Sequence, residues 1–250
     1  MERLGPVLAL KHKAMFSTQE VIRYSRQIIL DDIGPEGQRR LKAAKVLVIG
    51  AGGLGCPVLQ YLNAVGIGTI GIAEYDVIEA TNLHRQVLYR PADIGRKKAV
   101  VMMEALSGQN PYTQLIHHDL KVDATNAAAL AAGYDLVVDG CDNFTTRYAV
   151  NDACVQQGKP LVYGSILGFQ GQIAVFNRDG SGQLRDIFPE APDPGEVPTC
   201  SENGVLGTVP GIIGTIMAQA TIQVLLGQPS FEGHFMLLDT RTMERTLLQL

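Results

Sequence analysis

Gly50-Ala51-Gly52-Gly53-Leu54-Gly55 has the G-x-G-x-x-G spacing and follows an apolar, β-branched run at 45–50 (KVLVIG). Glycines there permit a tight turn and let the backbone approach a phosphate. The N-terminus of the helix that follows favours the negative charge. Such a loop serves NAD and ATP alike. An acid for a ribose is expected about 20 residues on, and Glu74 supplies it. Asp76, two residues later, could instead bond to loop backbone.

The residues beyond the loop exceed what a dehydrogenase needs. Asn82, Arg85 and Gln86 cluster in ATNLHRQ, and Lys98 follows in GRKKA. Cations of this kind suit a triphosphate, because charge develops on phosphoryl oxygens during displacement. Lys97 reads as surface charge. Next come Asp139-Gly140-Cys141-Asp142-Asn143, with Arg147 and Asn151 one and two turns later. Asp142 is a candidate Mg²⁺ ligand and equally a candidate N-cap for the helix beginning near Phe144. Cys141 reads as packing. His117 and His118 are adjacent on a strand and point to opposite faces. The four cysteines, Cys56, Cys141, Cys154 and Cys200, form no C-x-x-C pair, so a disulfide framework is not indicated. A reducing cytoplasm fits that usage.

These residues need a scaffold that gathers them at one edge. Apolar strand patterns fall at 45–50, 69–73, 113–118, 135–139, 160–165 and 171–176, and again at 234–239 and 244–248. Helices are predicted at 17–26, where Ser17 and Glu20 have capping-box spacing, and at 35–44, 53–65, 97–107, 144–157 and 209–226. Asp123 is expected to cap another, alanine-rich helix. Strands alternating with helices predict an α/β fold: a Rossmann-like, mostly parallel sheet with helices on both faces. The tail should extend it with antiparallel strands. Ligands bind such sheets at the C-terminal ends of the strands.

At 250 residues, 46% hydrophobic and 18% charged, the chain can bury a sizeable core. A net charge of −4 gives no broad field for nucleic acid. Residues 1–16 read as a loose extension, with Met15 a candidate start, and 17–250 as a single domain. The apolar stretch 205–226 is interrupted by glycines and glutamines and reads as a buried or dimer-interface helix, not a membrane span. The Gly-, Pro- and acid-rich segment 178–204 is predicted to be a mobile loop.

The order of motifs resembles the MoeB/ThiF/HesA branch of ubiquitin-activating-enzyme-like adenylyltransferases. Arg23-Tyr24-Ser25-Arg26-Gln27 is similar to the family's RYxRQ, GAGGLGCP to its nucleotide loop, and TNLHRQ to its NLxRQ. CDNFTTR is similar to TDNxxxR, and Pro198-Thr199-Cys200-Ser201 with GVLGTVPGIIG to its cysteine loop. The resemblance implies ATP as nucleotide, with release of pyrophosphate. It implies Gly50, Gly52, Gly53, Gly55, Glu74, Asn82, Arg85, Lys98, Asp142 and Asn143 as its binding residues, and Asp142 as the holder of Mg²⁺. It implies a homodimer in which Arg26 reaches the neighbouring site, with Arg26, Arg85 and Lys98 offsetting transition-state charge. The partner implied is a small ubiquitin-like sulfur-carrier protein ending in Gly-Gly, with a sulfurtransferase or cysteine desulfurase beside it. Cys200 is the candidate thiol for sulfur transfer. Two departures stand out. Glu74 replaces the usual Asp, and both C-x-x-C pairs of the family's zinc site are missing, the first from Leu184-Arg185-Asp186-Ile187, so no zinc is expected. The competing readings are an NAD-dependent oxidoreductase and a non-catalytic ATP-binding scaffold.

Overall fold

The computed structural model describes residues 16–192, 204–231 and 233–250. Two helices open it, α1 (Thr18–Ile28) and α2 (Gly34–Ala43). Ser17 caps α1. Its Oγ accepts from the Glu20 amide at 3.2 Å, and the Glu20 carboxylate accepts from the Ser17 amide at 2.8 Å. Phe16, placed by its sequence in the loose extension, is buried with Val21, Tyr24 and Ile28. The remainder of that extension lies outside the described residues.

The sheet begins with β1 (Lys45–Ile49), followed by α3 (Gly55–Val65), β2 (Thr69–Ala73), α4 (Lys98–Gln109) and β3 (Gln114–His118). It continues through α5 (Ala127–Ala132), β4 (Leu136–Asp139), α6 (Phe144–Gln157), β5 (Leu161–Leu167) and β6 (Gln170–Phe176). A short helix α7 (Leu184–Ile187), the long α8 (Thr208–Leu226), β7 (His234–Asp239) and β8 (Glu244–Gln249) complete it. The strand order is β3-β2-β1-β4-β5-β6-β7-β8. β1 to β5 pair in parallel, and β6, β7 and β8 add antiparallel. The chain thus has the Rossmann-like sheet and antiparallel extension that the pattern predicts.

Burial on both faces explains why β1 is apolar without alternation. Val46 and Val48 belong to a core shared with α3, α4 and α8, and Leu47 and Ile49 to the opposite core with α5 and α6. α8 is long and apolar enough to cross a membrane by composition, yet half of its most apolar window is buried inside the protein. It packs on α3, where Gly214 lies so close to Pro57 and Leu54 that a Cβ would come within 2.6 Å of both.

Two local expectations change. Asp123 does not cap α5: Asn126 holds the N-cap position, and the Asp123 carboxylate accepts from the Thr125 amide and hydroxyl, closing the preceding turn. The loop predicted over 178–204 carries α7. Leu184 is buried there, its amide donates to Asn151 Oδ1 at 3.0 Å, and Arg185 pairs with Asp152 at 2.7 Å. The Tyr148 hydroxyl also donates to the Phe188 and Glu190 carbonyls, so buried Leu184, polar bonds and an ion pair anchor a segment that shows no hydrophobic period. Residues 193–203 of that loop lie outside the described residues.

Candidate functional site

The glycine loop leaves β1 beside β4, where the strand order reverses. Gly50 has φ +88°, open to a residue without Cβ. Gly55 is more constrained still: a Cβ there would sit 2.1 Å from the Gly50 carbonyl oxygen. The loop folds back on itself to start α3, and only hydrogen fits at that turn. Gly55→Ala is expected to displace the loop and weaken binding of the ATP that the resemblance implies by about tenfold or more, measured by calorimetry. Unchanged affinity would contradict that role. Gly52 faces the Gln86 amide, and Gly53 faces Pro210 and the Arg85 side chain.

Ala51 is held on both sides. Its amide donates to Glu74 Oε2 at 2.9 Å, and its carbonyl accepts from the Tyr89 hydroxyl at 2.7 Å. Tyr89 is buried, and burial first, then nearby Cys56 and Glu74, push its phenol pKa up. The sequence reading omits Tyr89; a tyrosine three residues after Gln86 is its only trace. The bond to loop backbone considered for Asp76 is made by Glu74, whereas Asp76 pairs with Lys98 at 3.1 Å.

Lys98 is buried in the first turn of α4. Lys97 beside it is exposed, donating to the Tyr75 carbonyl at 2.7 Å and to Asp119 at 3.1 Å. Between β2 and α4 the chain makes two turns of 3₁₀ helix, Ala80–Asn82 and Pro91–Asp93. Asn82 is buried in the first, where its Oδ1 accepts from the Glu79 amide at 3.1 Å. Arg85 is half-buried, with Nη1 donating to the Thr81 carbonyl at 2.9 Å. Gln86 is 4% exposed, and its Oε1 has no hydrogen-bond partner among the described residues. A buried acceptor without a donor is costly and points to a missing polar partner.

Beyond β4, Asn143 rather than Asp142 caps α6, its Oδ1 accepting from the Thr146 amide at 2.9 Å. Asp142 is exposed and makes no hydrogen bond or ion pair among the described residues. It lies near Tyr75: burial and then the charges of Asp76, Asp142 and Glu74 raise that phenol's pKa. Arg147 is buried. It donates to the carbonyls of Cys141 at 2.8 Å and Gly164 at 3.0 Å, faces Asp139 at 3.5 Å and stacks on Tyr163. It braces the turn that carries Asp142. Asn151 likewise serves structure, holding α7. His117 and His118 part as expected, to the Glu74 carbonyl and to Tyr134.

The structure therefore gathers the glycine loop, Glu74, Arg85, Lys98, Asp142 and Asn143 at the C-terminal ends of β1, β2 and β4. Arg26 stays apart. Its helix packs at the far end of α3, where Gln27 donates to the Val65 carbonyl at 2.8 Å and Tyr24 abuts Gly66. The 11 residues of α3 put about 16 Å between that end and the glycine loop. Arg26 is exposed. Among the described residues no three His, Cys, Asp or Glu side chains form a metal-holding group. Cys200 lies outside the described residues. The chain after it is pinned near the site: Val205 bridges to Gly168, and a Cβ on Gly207 would meet the His84 carbonyl at 2.1 Å.

Comparison with known proteins agrees with this fold. Residues 24–250 match the ThiF family. The chain is 48% identical over 230 residues to the sulfur carrier protein adenylyltransferase of Thermus thermophilus, covering 90% of this chain and 85% of the relative. It is 49% identical to the probable adenylyltransferase/sulfurtransferase MoeZ of Mycobacterium tuberculosis, covering 84% of this chain and 55% of the relative. It is 44% identical to the mouse adenylyltransferase and sulfurtransferase MOCS3, covering 94% and 51%. The chain thus spans about half the length of the last two. Among solved structures, E. coli MccB with ATP superposes with a TM-score of 0.77 at 21% identity, covering 95% of this chain and 72% of that one. PaaA gives 0.79 at 20% identity, covering 95% and 85%. These two likenesses show the fold alone. The chain belongs to the ThiF family.

Proposed function

We propose that this chain is an ATP-dependent adenylyltransferase acting on the C-terminal carboxylate of a small ubiquitin-like sulfur-carrier protein ending in Gly-Gly. The observation that carries the reading is the convergence of a glycine cradle, Arg85, buried Lys98 and exposed Asp142 at one sheet edge. The names of relatives at 44–49% identity support it. The dehydrogenase alternative is not favoured.

ATP fits the cradle. The backbone at Gly52 is open to close approach, with the Gln86 amide nitrogen beside it, and a Cβ at Gly53 would crowd Pro210 at 3.1 Å. Glu74 would hold the ribose, Asn82 and Asn143 would line the site, and Arg85 and Lys98 would draw charge from the phosphates. Lys98 would exchange Asp76 for phosphate oxygen. Asp142 fits Mg²⁺ because an exposed carboxylate at a phosphate site can share the ion with phosphate oxygens. The ion would neutralise charge on the departing pyrophosphate. The carrier's carboxylate oxygen forms a bond to the α-phosphorus as the bond to the β-phosphate oxygen breaks. No base is required, because an α-carboxyl is already ionised at neutral pH. Holding both substrates in line supplies much of the acceleration.

The active unit in this reading is a homodimer. Arg26 is exposed and about the length of α3 from its own glycine loop, which supports its serving a second copy's site. The reaction belongs in the cytoplasm, with neither membrane nor nucleic acid as partner, and the domain is single over 17–250.

Sulfur transfer is assigned to Cys200, with a sulfurtransferase or cysteine desulfurase as donor. The other thiols are poor candidates. Cys56 and Cys154 are buried and pushed up to about 12, and burial, then Asp139, raises Cys141 well above the usual thiol range. A thiol reacts as its thiolate. Iodoacetamide at pH 7.5 is therefore expected to leave these three unmodified in the native protein, as read by peptide mass spectrometry. Cys200→Ala should retain carrier adenylation within about twofold and lose sulfur transfer; loss of adenylation in folded protein would end that division of labour.

The function is tested by exchange of labelled pyrophosphate into ATP in the presence of each Gly-Gly-ending small protein of the same genome. Exchange with one carrier supports the enzyme. ATP binding without exchange for any carrier would leave the scaffold reading.

A further inference from the structure

Glu74 is the acid that the loop's spacing assigns to a ribose, yet most of its carboxylate is already committed. Oε1 accepts two backbone amides, Tyr75 at 2.8 Å and Asp76 at 2.9 Å. Oε2 accepts the Ala51 amide at 2.9 Å. A carboxylate offers about four lone-pair sites, so one remains, on Oε2. Glu74 is 7% exposed and Ala51 is 0% exposed, so water cannot readily replace these bonds.

We infer that Glu74 holds the nucleotide through one ribose hydroxyl, so that the site selects strongly for that hydroxyl and tolerates loss of the other. The inference rests on the ATP reading above. A two-hydroxyl grip would require Oε2 to release Ala51. That bond fixes the glycine loop from one side while Tyr89 fixes it from the other. Giving it up leaves a buried amide unpaired, at a cost comparable to the second hydroxyl bond gained. The exchange brings no net affinity, and the loop stays where the phosphates need it.

The test is equilibrium binding of ATP, 2′-deoxy-ATP, 3′-deoxy-ATP and 2′,3′-dideoxy-ATP to the full chain by calorimetry. One mono-deoxy nucleotide should bind within about twofold of ATP. The other should bind about tenfold or more weakly, since a site built around a hydroxyl rejects its absence. The dideoxy nucleotide should match the weaker of the two. Glu74→Asp draws the carboxylate back by one methylene. It should lower hydrogen-exchange protection of the Ala51 amide and make both hydroxyls count. Equal losses for each hydroxyl in the unsubstituted protein, compounding in the dideoxy nucleotide, overturn the inference, and so does indifference to both. Those outcomes leave ATP binding intact. Failure of ATP itself to bind would overturn the nucleotide reading and this inference with it.

Discussion

Asp142→Ala is expected to lower carrier-dependent pyrophosphate exchange about a thousandfold in protein that melts within about 2 °C of the parent. The two halves of this expectation have separate causes. Asp142 is exposed and forms no hydrogen bond or ion pair among the described residues, so its loss removes no folding contact. Exposed substitutions of that kind change stability by about 0.5 kcal/mol or less. The cap of α6, which an aspartate at this position could supply, comes from Asn143 instead. Asn143→Ala is therefore the structural contrast, costing about 1 kcal/mol of stability. For exchange, the carboxylate at the end of β4 is the group proposed to fix the cation that offsets phosphate charge. Losing one preorganised electrostatic contact to a transition state costs about a hundredfold to a thousandfold. Asp142→Asn keeps the shape and removes the charge, and should lose nearly as much. Exchange at a tenth of the parent rate or better in Asp142→Ala, at saturating Mg²⁺, would remove Asp142 from the machinery.

The sheet is legible in the sequence because its strands are buried on both faces. β1 and β4 appear as unbroken apolar runs, and the helices between them force parallel pairing. The glycine loop is legible for a related reason: its backbone path excludes side chains, so residue type records geometry directly. Partner choice is different. Glu74 and Asp76 are both acids after β2, and spacing does not say which reaches Ala51 and which takes Lys98. That depends on how the ends of β1, β2 and α4 meet in space. Asp142 and Asn143 both suit an N-cap, and a one-residue difference in where α6 starts decides between them. Tyr89 bonds to a carbonyl 38 residues earlier, a contact no local pattern encodes. α7 escapes notice because a four-residue helix has no period to read.

Arg147 carries the largest expected effect on stability. Its guanidinium is buried between β5 and the turn after β4. Burial alone would lower its pKa, and the Asp139 carboxylate beside it more than reverses that. Asp139 is 0% exposed. Its Oδ1 accepts the Cys141 amide at 3.0 Å, and among the described residues its Oδ2 has no hydrogen-bond partner and lies 3.5 Å from Arg147. Removing the arginine strands that charge in the core. Arg147→Met keeps much of the volume and is expected to cost about 3–5 kcal/mol, lowering the melting temperature by about 10 °C for a chain of this size. Arg147→Lys should rescue little, because a single ammonium cannot reach both carbonyls in the planar fork that arginine uses. Adding Asp139→Asn to Arg147→Met should recover part of the loss, since the stranded charge is then gone. At temperatures where Arg147→Met remains folded, exchange should still fall, because the freed Cys141 carbonyl no longer fixes the turn that aims Asp142. Thermal unfolding of the four proteins and exchange below the transition measure both effects. A single Arg147→Met variant melting within about 2 °C of the parent would show that the arginine does not brace this turn.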